Sequence, residues 1–137
     1  MLDMINTRVI GLAEYRISAE EPGVITARYL TSGSRAIGSG RARGDTSGGL
    51  GAFVGHYRVQ YFDAAGELTG DLDLHIQRAG EAYRLTWRHR RENVRLPVAI
   101  GDVVYQGIGF LTGEYAMAIT YWMAEKLTSA IELRPLL

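Results

Sequence analysis

The chain is 137 residues long, balances 15 lysines and arginines against 15 aspartates and glutamates, and contains no cysteine. That length suits a single domain, residues 1–137, with enough chain to bury a continuous core and no room for a second one. Zero net charge removes any overall field that would collect nucleic acid or an anionic membrane, and the lack of thiols excludes disulfides, thiol nucleophiles and thiolate metal sites.

The opening "MLDMINTRVI" lacks the long apolar stretch of a signal peptide, and no run approaches the roughly 18 apolar residues of a membrane span. The expectation is a soluble, cytoplasmic protein with no membrane or nucleic-acid partner. Lys126 is the only lysine, a bias typical of a GC-rich bacterial genome.

Most of the chain alternates apolar and polar residues between Gly-containing turns, which predicts an antiparallel all-β domain. A first hairpin about Glu20, Glu21, Pro22 and Gly23 sets Ile17 opposite Ile25, Ala13 opposite Tyr29 and Glu14 opposite Arg28, with Pro-Gly suited to the turn. Next comes "SRAIGSGRARGDTSGGLGAFVG", residues 34 to 55, with seven glycines and three arginines. Its "GSGRARG" is close to a dinucleotide fingerprint, but three residues instead of two separate the second and third glycines, and no helical pattern follows. Phosphate cradling in that motif depends on a helix N-terminus, and no lysine follows to make a P-loop, so a flexible or bulged β connection is expected. Arg43, Gly44 and Asp45 spell an integrin-binding tripeptide, which is read as coincidence.

"YRVQYFDAAGELTGDLDL" makes a hairpin about Asp63 to Gly66. A glycine bulge there would pair Phe62 with Leu68, whereas the alternation of Tyr57, Val59 and Tyr61 pairs Tyr61 with Leu68 and is preferred. In "HIQRAGEAYRLTW" an Ala79-Gly80 turn sets Ile76 opposite Tyr83, Leu74 opposite Leu85, Leu72 opposite Trp87 and Asp71 opposite Arg88. In "GFLTGEYAMAITYW" a Thr112-Gly113 turn sets Phe110 against Tyr115 and Ile108 against Met117. About eight strands with nearest-neighbour connections predict an up-and-down β-barrel, which has no raw edges and can enclose a small ligand. A sandwich of similar strands is the alternative. Met123, Leu127, Ala130 and Ile131 stand at helical spacing, so a short C-terminal helix is expected before Pro135.

Candidate chemistry is sparse. Asp71, Asp73 and His75 share one strand face with the atom types of a divalent-metal site, but arginines across the hairpin already serve the carboxylates, so a solvated outer face is expected and no metal. The basic run "WRHRRENVR" begins on an apolar parity: His89 and Arg91 continue the face of Tyr83, Leu85 and Trp87, which would place them at a barrel mouth beside Gly70. There His89 could serve as donor, acceptor or base. No metalloprotease, nucleophile-elbow or triad pattern is present, and no cofactor is implied. The stretch "DVVYQGIGFLTGEYAMAITYW" is apolar on both faces, so something must cover its outside. The small residues Gly107, Gly109, Ala116 and Ala118, with Trp122, make a homodimer interface the favoured covering over the C-terminal helix alone.

"YRVQYFDAAGELTGDLDLHI" and "YRLTW" resemble the strand repeats of avidin-like and other calycin barrels, over roughly residues 50 to 123. The resemblance implies small-ligand binding inside the barrel and assembly through its outer wall. The avidin family's biotin-contacting polar residues have no counterparts that can be placed here one by one, so biotin is not carried over.

The leading expectation is therefore a non-catalytic barrel that binds a small apolar or aromatic ligand. Its pocket would be lined by Tyr57, Tyr61, Tyr83 and Trp87, with Tyr105 as a further candidate, and an acidic group of the ligand would be read by His89 and Arg91. The alternatives are a homo-oligomeric interaction module without a ligand, and an isomerase or cyclase using His89.

Overall fold

The computed structural model describes residues 10–46, 53–90, 96–125 and 127–128. Eight strands follow one another: β1 (Ile10–Ile17), β2 (Val24–Thr31), β3 (Gly38–Thr46), β4 (Gly55–Phe62), β5 (Leu68–Ala79), β6 (Ala82–His89), β7 (Val103–Gly113) and β8 (Ala116–Met123). Each pairs antiparallel with the next, and β8 returns to β1, so the sheet closes as an up-and-down barrel. Closure leaves no strand with a free row of N–H and C=O groups. Among the described residues no helix is long and apolar enough to cross a membrane. The short helix expected after Trp122 falls mostly outside the described residues; within them Thr128 N–H donates to the Ala124 carbonyl at 3.0 Å, and Leu127 is buried in the core. Ala130, Ile131 and Pro135 lie outside the described residues.

The β1–β2 register is the one expected, Ile17 opposite Ile25, Glu14 opposite Arg28 and Ala13 opposite Tyr29. In β4–β5 the preferred pairing of Tyr61 with Leu68 is not formed, and the alternative is found at the turn. Phe62 pairs with Leu68 at the turn, and a bulge at Tyr61/Phe62 then restores the alternation, with Tyr61 opposite Gly70 and Val59 opposite Leu72.

Two further hairpins correct the sequence reading. The β5–β6 turn is Gly80-Glu81, so Ile76 faces Leu85, Leu74 faces Trp87 and Leu72 faces His89. Gly80 takes φ 67°. A type II′ turn wants glycine first, whereas an Ala79-Gly80 turn would put alanine at that position. The shift of two residues preserves which side chains face inward. The β7–β8 turn is Glu114-Tyr115, with a bulge between Leu111 and Gly113, so Phe110 faces Ala118 and Gly109 faces Ile119. That single extra residue moves Phe110 and Ile108 outward and turns Gly107 and Gly109 inward.

The Gly-rich stretch is strand β3, paired to both neighbours, although residues 47–52 lie outside the described residues. Its inner positions Gly38, Gly40 and Ala42 are small because tyrosine rings lie over them. A Cβ at Gly38 would stand 2.5 Å from the Tyr29 ring, and one at Gly40 would stand 2.7 Å from Tyr61. Among the described residues no helix follows to supply phosphate-binding N–H groups, and the next element is β4.

The β1–β2, β3–β4, β5–β6 and β7–β8 connections share one end of the barrel, and that end is packed shut. Phe53 of the β3–β4 connection lies edge-on to Tyr83 at 6.5 Å, and its carbonyl accepts the Tyr57 hydroxyl at 2.9 Å. Val59, Leu72, Leu74, Ile76, Leu85 and Met117 fill the middle. Burying each such side chain contributes about 1.5–3 kcal/mol. The opposite end carries the β2–β3, β4–β5 and β6–β7 connections, and there the packing stops short.

Candidate functional site

Above Leu72 the barrel holds a cavity of about 580 Å³ that opens between these three connections. Alternation on six strands aims an aromatic ring at it from each: Tyr15 on β1, Tyr29 on β2, Tyr61 on β4, Trp87 on β6, Tyr105 on β7 and Tyr121 on β8. The remaining wall is small or aliphatic, and Asp63, Ala64 and Ala65 of the β4–β5 turn stand on its rim.

Tyr61 is the hub. Its hydroxyl accepts the Trp87 Nε1–H at 2.9 Å and shares a hydrogen bond with the Tyr15 hydroxyl. Tyr29 lies edge-on to Tyr61 at 5.2 Å and donates to the Phe62 carbonyl at 3.2 Å. Tyr121 lies 6.0 Å from Trp87, and Tyr105 is edge-on to Tyr121 at 6.0 Å. Burial raises the phenol pKa values of Tyr15, Tyr61, Tyr105 and Tyr121 above the usual range, and for Tyr61 the neighbouring Tyr15 raises it further. These phenols are neutral, and among the described residues no lysine, arginine or histidine lines the cavity. The Asp63 carboxylate accepts the backbone N–H groups of Ala65 at 2.9 Å and Glu67 at 3.0 Å, which holds the rim turn in shape.

The expected ligand residues divide. Trp87 and Tyr61 line the cavity, and Tyr105 joins them. Tyr57 and Tyr83 belong to the packed end, where burial lifts the Tyr57 phenol to about 12. His89 is on the inner parity but buried beneath the β6–β7 connection. Its Nδ1 lies 3.1 Å from the Val98 carbonyl, its backbone bonds Asp102 and Gly101, and it is not part of the cavity wall. The space expected beside it does not exist, because Leu72 faces His89 while Gly70 faces Tyr61. Arg91 lies outside the described residues. Sequence reasoning missed Tyr15, Tyr29 and Tyr121; Tyr15 alternates in step with Ala13 and Ile17, and Tyr29 with Ile25, whereas both faces of the Tyr121 strand are apolar.

The expected interface also divides. Gly107 and Gly109 face into the barrel against Trp87 and Met117, so they form no part of an outer wall. Ala116, Ala118 and Trp122 do belong to the outer face of β8. With Ile10, Leu12, Ile108 and Phe110 they make an apolar stripe across β7, β8 and β1, in which Phe110 is 62% and Leu12 61% exposed.

Outside the barrel on β5, Asp71 is only 2% exposed, which corrects the expectation that it is solvated. Arg58 grips it with two hydrogen bonds of 2.9 and 2.7 Å, and Arg90 lies 3.7 Å away. These partners, Arg58 first, hold its carboxyl below the ordinary value. Asp73 is paired to Arg90, and among the described residues no three His, Asp or Glu side chains are grouped to hold a metal. Compared with family models, with curated proteins and with solved structures, the chain matches none.

Proposed function

We propose that this protein is a non-catalytic binding barrel that admits a small, largely apolar ligand through its open end. The observation that carries this reading is the cavity of about 580 Å³ ringed by five tyrosines and a tryptophan, in a barrel whose other end is filled by side chains of the same kind. Cavities of this size and apolar lining suit small molecules. The eight-stranded up-and-down order supports kinship of architecture with calycin and avidin-like barrels. The position of His89, tied to Val98 and off the cavity wall, favours binding over an isomerase or cyclase built on it.

Native mass spectrometry of the purified protein, with and without denaturation, tests the reading. A reproducible small-molecule adduct, lost on denaturation and absent from Trp87→Ala, is the expected result. A bare protein that binds no member of an apolar small-molecule panel, with Trp87→Ala merely destabilised, would sink it.

The exposed stripe of Ile10, Leu12, Ile108, Phe110 and Trp122 favours a second element, a homodimer joined through the outer wall of β7, β8 and β1. Scattered exposed apolar residues are ordinary, but a contiguous set on three adjacent strands marks an association surface. Phe110→Asp is expected to yield a monomer by light scattering, and an unchanged mass for wild type and variant would exclude this face.

A further inference from the structure

We infer that the ligand of the barrel cavity carries an organic cation, an alkylated ammonium group, seated within the ring of aromatic side chains. The inference rests on the reading of the cavity as a binding site and names the chemistry that site selects.

The aromatic residues form a girdle. Tyr29 meets Tyr61 with ring planes at 73°, Tyr61 is bonded to Trp87, Trp87 meets Tyr121 at 57°, and Tyr121 meets Tyr105 at 87°. Tyr105 and Tyr29 line the same cavity. Rings inclined to one another in this way surround the cavity from several sides. A compact tetrahedral head touches several such rings at once, and the negative face of each ring attracts a cation.

Charge points the same way. Among the described residues an anionic ligand would find no lysine, arginine or histidine on the wall, and the one carboxylate they place there is Asp63 at the rim. The donors an anion or a carbonyl-rich ligand would need are partly turned on the protein itself: the Trp87 N–H goes to Tyr61, and the Tyr29 hydroxyl to Phe62. What the girdle offers a ligand is ring surface and the hydroxyls of Tyr105 and Tyr121, with the Asp63 carboxylate at the entrance.

Choline and its neutral isostere 3,3-dimethylbutan-1-ol, titrated into the full chain and followed by NMR, separate charge from shape. The expected result is that choline binds about tenfold or more tightly than the alcohol, with its N-methyl protons shifted upfield by the rings. Asp63→Asn, which keeps the acceptor of the rim turn, is expected to weaken choline several-fold and leave the alcohol unchanged. Equal or tighter binding of the alcohol would overturn the cation while leaving the cavity a binding site. Binding of neither probe, nor of any apolar molecule, would overturn the cavity reading and this inference with it.

Discussion

The Trp87 indole N–H donates to the Tyr61 hydroxyl at 2.9 Å across the barrel interior, joining β6 to β4 over the intervening β5. Because Tyr61 also bonds Tyr15 on β1, one oxygen ties three non-adjacent strands at the cavity wall. Tyr61→Phe removes that oxygen, keeps the ring and takes the partner from the buried Trp87 N–H and the Tyr15 hydroxyl. A buried polar group left without its partner costs about 1–3 kcal/mol, so urea unfolding should show a loss in that range. A variant as stable as wild type would mean that water replaces the hydroxyl.

Asp71 makes an acid-dependent contribution to stability. Its carboxyl is held below the ordinary value of 3.8 in the folded state, mainly by Arg58, then Gln60 and Arg90. The depressed value means that the stabilisation is complete above the unfolded value and disappears as pH falls through the folded one. Asp71→Asn should therefore be less stable than wild type near neutral pH, by about 1–3 kcal/mol for lost charged hydrogen bonds. The gap should narrow in acid, below about pH 4. Thermal melts across that range check it, and a gap that widens in acid would contradict the assignment.

How much of this was legible depended on whether the deciding contact was local. At the β1–β2 hairpin, Pro22-Gly23 and the alternation of Ala13, Tyr15 and Ile17 agree, and the register follows from them alone. In β3 the inward glycines read as a loop, because the reason for their size is Tyr29 and Tyr61 on other strands. The bulge beside Thr112 reverses a whole face of β7, and alternation cannot locate one inserted residue when both faces are apolar. His89 was misjudged for the same kind of reason: the carbonyl that engages it belongs to Val98 in the next connection. Tyr15 and Tyr29 share the parity of Ala13, Ile17 and Ile25, but only barrel closure brings β1, β2 and β8, with Tyr121, beside Trp87.

Gly107 distinguishes the inner wall from the outer one. A Cβ there would stand 2.8 Å from the Thr120 carbonyl and 3.1 Å from the Trp87 ring. Neither the β8 backbone nor a ring held by Tyr61 yields easily, and overpacking of this kind costs about 1–3 kcal/mol. Gly107→Ala should lower the melting temperature and leave the assembly state untouched. An assembly defect at full stability would return Gly107 to the interface.

The stacked imidazoles of His56 and His75, 3.9 Å apart and within 14° of parallel, add a second pH dependence on the outer wall. The His75 pKa is lowered from 6.5, by burial first and then by His56 and Arg88. A lowered histidine pKa means that the unfolded chain takes up a proton which the folded chain resists. Stability is therefore level above about pH 6.5 and falls as pH drops from there toward the folded value. Replacing one partner removes that like-charge neighbour, so His56→Gln should lose less stability than wild type between about pH 7.5 and 5.5. His75→Gln should lose less again, since its own burial penalty goes too. Urea midpoints at the two pH values measure this directly. A wild-type protein that gains stability on acidification through this window would show that the folded pair welcomes the proton, contrary to what the stacked geometry requires.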